Sequence, residues 1–149
     1  MLQLGFQKCW VDVVMRCVRT ASFAFLVNGV PIGHIIPSRV LRQGDPISPY
    51  LYLFCSEGLS GILRRVLEEG AIHGYRVCHD APPVSHLLFA DDTIIFCGAD
   101  MAQADRVKEV LESYATASGQ AINFTKTSVA FSKGVKADKR SRITQSLDI

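Results

Sequence analysis

Two adjacent carboxylates, Asp91 and Asp92, stand between apolar runs, Leu87-Leu88-Phe89-Ala90 before them and Thr93-Ile94-Ile95-Phe96 after. Enclosing carboxylates in an apolar stretch costs free energy unless hydrogen bonds or a metal ion compensate. A short turn between the runs would set both aspartates at a hairpin tip, facing one cation while the flanking strands stay in a sheet. Carboxylate and water ligands suit Mg²⁺, which takes one or two protein carboxylates together with substrate phosphates. Two such ions, about 3.5–4 Å apart, activate an attacking hydroxyl and steady a leaving phosphate. Taken alone, the dipeptide reads as a solvated β-turn, because Asp is a common turn residue.

A second constellation precedes it. The loop Arg39-Val40-Leu41-Arg42-Gln43-Gly44-Asp45-Pro46-Ile47 runs into Ser48-Pro49, an N-cap followed by proline at the first helical position. Arg42 and Gln43 supply donors, Gly44 permits close approach of the backbone to a ligand, and a helix N-terminus favours anionic phosphate. By itself this segment is ordinary capping beside a surface loop.

The elements that must position these residues follow from periodicity. Phe6, Trp10, Val13, Val14 and Cys17 recur at helical spacing. Ser22–Val27 is rich in strand formers and meets Asn28-Gly29, the strongest short hairpin signal. Gly33-His34-Ile35-Ile36 is the predicted returning strand, and Pro31 puts its start at a sheet edge. From Ser48 a helix is predicted to about Glu69, with Leu59, Ile62, Leu63, Val66 and Leu67 on one stripe and Gly70 as its stop. Tyr75–Cys78 is a short strand candidate. Asp100 and Gln103 resemble a capping box, opening a helix with Val107, Val110, Leu111, Tyr114 and Ala117 inside and Gly119 at its end. Two more short strands are expected around 121–123 and 128–131, then a polar, basic tail from Lys133.

Length and composition bound the rest. A chain of 149 residues implies one domain, and 48% hydrophobic residues are enough for a core. A net charge of +2 excludes a polybasic binder, although a groove can still concentrate positive charge. The five cysteines, Cys9, Cys17, Cys55, Cys78 and Cys97, contain no C-x-x-C and sit among apolar neighbours. They read as reduced, mostly buried thiols of an intracellular protein. There is neither a membrane-spanning run nor a signal-peptide pattern, so nucleus or cytoplasm is expected, with no membrane partner. His73, His79, His86 and Cys78 match no zinc spacing. Arg64-Arg65 and the cluster Lys133, Lys136, Lys139, Arg140 and Arg142 could touch a nucleic-acid backbone, but charge runs are more often simply solvated.

With both constellations in hand, the chain resembles reverse transcriptases, those of LINE-type retroelements of plants in particular. Arg42-Gln43-Gly44-Asp45-Pro46-Ile47-Ser48-Pro49 looks like the family's template- and nucleotide-contacting motif. Phe89-Ala90-Asp91-Asp92 matches its metal motif, and Ser118-Gly119-Gln120-Ala121-Ile122-Asn123-Phe124-Thr125-Lys126-Thr127 is similar to the motif that follows. The hairpin within Phe23–Gly33 also agrees, so the resemblance covers nearly the whole chain.

The resemblance implies an α+β fold, a partial polymerase palm in which a small antiparallel sheet is backed by helices. It implies RNA-directed DNA synthesis with an RNA template, a DNA primer and deoxynucleoside triphosphates as partners, and Mg²⁺, or Mn²⁺, as cofactor. Carried over by residue, Asp91 is the principal metal ligand and Asp92 its helper. Arg42, Gln43 and Gly44 meet the incoming nucleotide or its template partner. Phe89 packs beneath the aspartates or against the primer end. Lys126 stands where the family has a lysine near the triphosphate, a proton donor to departing pyrophosphate, or else is a surface lysine. Val40 departs from a family glycine. The family's other catalytic aspartate lies upstream of the opening helix, and Asp12 is not its equivalent. Residues 1–149 are therefore expected to be a partial domain without that segment or the thumb, inactive alone. The alternatives are a catalytically dead relic, a nucleic-acid- or protein-binding module derived from it, or a fragment of another palm polymerase such as a group II intron maturase.

Overall fold

The computed structural model describes residues 1–36 and 44–149. Its fold is α+β: helices α1 (Lys8–Arg19), α2 (Ser48–Glu68), α3 (Met101–Ser118) and α4 (Ala137–Ser146), with hairpins β1 (Phe23–Val27)–β2 (Val30–Ile35) and β3 (His86–Phe89)–β4 (Asp92–Ile95). Contacts divide the chain within α2 into a unit of Met1–Phe54 and one of Cys55–Ile149.

In the first unit, α1 buries Val14, and Phe6 stacks on Trp10 at 4.8 Å while meeting Phe54 edge-on at 5.3 Å. The Asn28-Gly29 turn closes the β1–β2 hairpin with φ of 50° and 82°, the left-handed pair that matches strand twist. The register slips between Phe23↔Ile35 and Phe25↔Ile32, which leaves β2 one extra residue where Gly33 takes φ 81°. Both faces of this hairpin are exposed beyond Phe23.

The second unit holds the core. Leu59, Leu63 and Val66 of α2 meet Val107 and Val110 of α3 and Ile72, with Leu88 of β3 and Ile95 of β4 packed against them. Leu63 is fully buried, and burying one such side chain stabilises by roughly 1.5–3 kcal/mol. The apolar stripe predicted for α2 thus does what its spacing implies. The helix ends as Gly70 N–H reaches Leu67 O and Ala71 N–H reaches Val66 O, the paired bonds of a Schellman stop.

Four expectations are corrected. Tyr75–Cys78 is not a strand: Tyr75 makes one isolated bridge to Val84, and Val77 is 76% exposed. No strand forms at 121–123 or 128–131; residues 124–126 are a turn closed by Lys126 N–H on Asn123 O. The polar tail instead contains α4, held to α3 by buried Ile143 and by Lys108 Nζ, which donates to Ser146 O at 3.0 Å and Asp148 Oδ2 at 2.6 Å. Finally, Cys9, Cys17, Cys78 and Cys97 are exposed rather than buried, and Cys55 is half-buried. Their apolar neighbours are themselves partly exposed, so an apolar neighbourhood in sequence did not translate into burial.

Candidate active site

The aspartates sit where two predicted strands meet. Phe89 pairs with Asp92, so the loop between them is Ala90-Asp91. Ala90 takes φ 51°, a left-handed value that costs a non-glycine residue about 1–2 kcal/mol. The surrounding pairs hold it there: Leu88↔Thr93, Leu87↔Ile94 and His86↔Ile95. Such enforced strain is common at sites where the chain aims a side chain.

Cross-strand partners share a face. Leu87, Phe89, Asp92 and Ile94 therefore lie together on the outer face, and Leu88 and Ile95 on the face that packs against the core. Asp91 projects from the turn itself, and both carboxylates are exposed. Among the described residues neither enters an ion pair. Two adjacent hard oxygen donors, open to solvent and uncommitted, suit a divalent cation that keeps waters and takes substrate phosphates. Among the described residues no third His, Cys, Asp or Glu joins them in a cluster able to hold a metal. Of the two placements expected for Phe89, the one beneath the aspartates does not hold, since the residue stands 81% exposed on the same face as Asp92.

The base of the hairpin is tied down by groups that sequence reasoning did not single out for this role. Ser60 Oγ of α2 meets His86 Nε2 at 2.7 Å, and Ser85 Oγ meets His86 Nδ1 at 2.8 Å. Both serines are buried. Partial burial, reinforced by the Arg64 guanidinium and opposed by Glu57, holds the imidazole below its ordinary pKa, so neutral His86 is favoured. Phe96 N–H extends the ladder to Ser85 O at 2.7 Å, and Tyr75 and Val84 exchange both backbone bonds at 2.8 Å. Beyond the hairpin, buried Gln103 accepts from the N–H groups of His73 and Gly98, each at 2.7 Å, and donates to Asp100 Oδ2. The capping-box spacing located Gln103 correctly, while the loops it ties together carry no signal in the sequence.

Of the other predicted residues, Lys126 belongs to the same unit as the hairpin. Lys126 is exposed in the turn after α3, and among the described residues no hydrogen bond or ion pair joins it to either carboxylate. Gly44 belongs to the first unit and takes φ 83° with open space around it, so the demand there is conformational rather than steric. Asp45 Oδ1 accepts from Ile47 N–H at 3.0 Å, and α2 begins at Ser48 rather than after it. Arg42, Gln43 and Val40 lie outside the described residues. Asp12 pairs with Lys8 at 2.6 Å on the surface of α1.

Residues 2–144 match the family model described as reverse transcriptase (RNA-dependent DNA polymerase). The chain belongs to the reverse transcriptase family. Over 69 residues, 46% of this chain, it is 56% identical to an uncharacterized mitochondrial protein of Arabidopsis thaliana, of which the match spans 57%. No solved structure matches the chain.

Proposed function

We propose that this chain is the palm segment of an RNA-directed DNA polymerase from a plant-like LINE-type retroelement, with Asp91 and Asp92 as its metal ligands. The observation that carries the reading is the hairpin tip: two exposed carboxylates of a Phe-Ala-Asp-Asp motif, without an ion pair among the described residues, aimed by a strained Ala90 from strands packed on the core. The order of the three motifs and the Arabidopsis relative support the retroelement origin.

In this reading Asp91 holds Mg²⁺, or Mn²⁺ in its place, and Asp92 assists from the first position of β4. A cation held there would supply charge neutralisation at the triphosphate and would ease deprotonation of the primer hydroxyl. The primer 3′ oxygen displaces pyrophosphate from the α-phosphorus of a deoxynucleotide paired to an RNA template. Lys126 gives a proton to the departing pyrophosphate, and Arg42, Gln43 and Gly44 seat the nucleotide against its template partner. Phe89, exposed beside Asp92, offers an apolar platform to the primer end. In this reading the family's other catalytic aspartate, expected upstream of the opening helix, completes the site. Without it the chain does not extend primers, and a catalytically dead descendant that keeps the family's fold is the second reading.

The metal assignment is tested with Fe²⁺ in place of Mg²⁺, using ascorbate and peroxide to cut the backbone near the bound ion. Cleavage is expected around residue 91 and should vanish in Asp91→Asn. An unchanged cutting pattern in that variant removes the site.

A further inference from the structure

The basic cluster near the C-terminal end is not used by the site above. Between residues 133 and 142 stand Lys133, Lys136, Lys139, Arg140 and Arg142 against the single carboxylate of Asp138. That segment carries a net +4 in a chain whose total is +2, so the other residues together are net negative. The cations are not equivalent. Arg140 is consumed by the fold: its guanidinium donates to Val135 O at 2.8 Å and Ser132 O at 3.3 Å and lies 5.9 Å over the Phe131 ring. It thereby straps the 132–135 turn against α4. Lys136, Lys139 and Arg142 are exposed and, among the described residues, enter no ion pair.

These three side chains line one hollow of about 500 Å³, with Gly134 and Val135 from the strapped turn and Ala99 and Met101 from the start of α3. Asp138 also lines it; Asp100, between Ala99 and Met101, is spent on Gln103, whose N–H it accepts at 3.0 Å and whose Nε2 it accepts at 2.7 Å. The walls are fixed: Lys108 ties α3 to the end of α4, Ser146 Oγ bonds Asp105, and Ile143 is buried beneath. Spaced three residues apart, the cations form a stripe about 9 Å long at the helical rise of 1.5 Å per residue. A stripe of separate charges along an open hollow fits several phosphates of one strand better than a single enclosed phosphate.

We propose that the hollow between the 134–136 turn, α4 and the start of α3 is a phosphodiester-backbone site, in which Lys136, Lys139 and Arg142 hold a nucleic-acid strand without reading its bases. It extends the polymerase reading, but its test needs no catalysis. Each cation that neutralises a phosphate contributes about −0.7 to the slope of log affinity against log salt on single strands.

The experiment measures fluorescence anisotropy of a labelled single-stranded oligonucleotide with the full chain, across a salt series and without divalent cations. Lys136→Gln/Lys139→Gln/Arg142→Gln should make the slope shallower by about 2, roughly 0.7 for each cation removed. The charge-matched Lys8→Gln/Arg16→Gln/Arg19→Gln should leave it near wild type, and so should Asp91→Asn, which separates this site from the metal site. Should the triple variant lose its circular-dichroism signature, Lys139→Gln alone, with a change of about 0.7, decides the matter. Equal slopes in the site variant and wild type overturn the proposal. So does an equal change in the α1 control, or binding to phosphatidylserine vesicles without binding to the oligonucleotide.

Discussion

At the scale of single residues, His86 shows how a polar group can anchor the base of a hairpin whose tip it does not belong to. Its ring is bracketed by Ser60 and Ser85, whose hydroxyls serve either protonation state, so burial and Arg64 set its charge. The folded pKa lies below the unfolded value, so the unfolded chain binds the extra proton first as pH falls. The stabilisation is complete above the unfolded pKa of about 6.5 and is lost as pH drops through the folded value. Denaturant midpoints followed by far-UV circular dichroism should therefore fall between pH 7.5 and 5 in wild type. His86→Gln should flatten that part of the profile. A His86→Gln profile that falls as steeply as wild type would show that His86 is not the group responsible. Asp91 and Asp92 were readable at this scale because two carboxylates split an apolar run. The bracket around His86 was not, because Ser60 and His86 are 26 residues apart and meet only when α2 packs on β3.

Elements were legible where local chemistry decides them. Asn28-Gly29, the α2 stripe, the Asp100 cap and the α3 face are local signals, and each formed its element, although Ala117, expected on the inner face of α3, is exposed. The candidate strand at 75–78 failed because a strand needs a ladder partner, and past Tyr75 the chain turns away after one bridge. Helix α4 was hidden for the opposite reason: Ile143 is its one buried residue, too little apolar pattern to separate a docked helix from a polar tail. The Tyr75–Val84 bridge also explains Gly74. A Cβ built there would lie 2.5 Å from Val84 O and 2.7 Å from Val84 C, both backbone atoms that cannot rotate aside. Gly74→Ala should cost about 1–3 kcal/mol, the range for forcing extra atoms into a packed place. A denaturation midpoint equal to wild type would show that the bridge at the hairpin base yields without cost.

Across the whole molecule, apolar surface is left open on the two hairpins. Phe25, Leu26 and Ile32 are exposed on the first, and Leu87, Phe89 and Ile94 on the second. Contiguous apolar faces and open strand edges are templates for association. The isolated chain should therefore self-associate at neutral pH, with light scattering that grows with concentration. A monodisperse monomer with a sharp cooperative melt would contradict this. Catalysis is the other property of the whole molecule: among the described residues no third carboxylate joins Asp91 and Asp92, and the proposed reading needs the family's other catalytic aspartate beside them. Each ~1.4 kcal/mol of lost transition-state stabilisation slows the reaction tenfold, and an absent bridging ligand costs several such steps. The most direct measurement is extension of a DNA primer on an RNA template with Mg²⁺ or Mn²⁺. It compares residues 1–149 alone, the same residues joined to an upstream family segment bearing the third aspartate with fingers and thumb, and that fusion carrying Asp91→Asn. The account expects no extension from the first, extension from the second and none from the third. Extension by residues 1–149 alone, or full activity in the Asp91→Asn fusion, would contradict it.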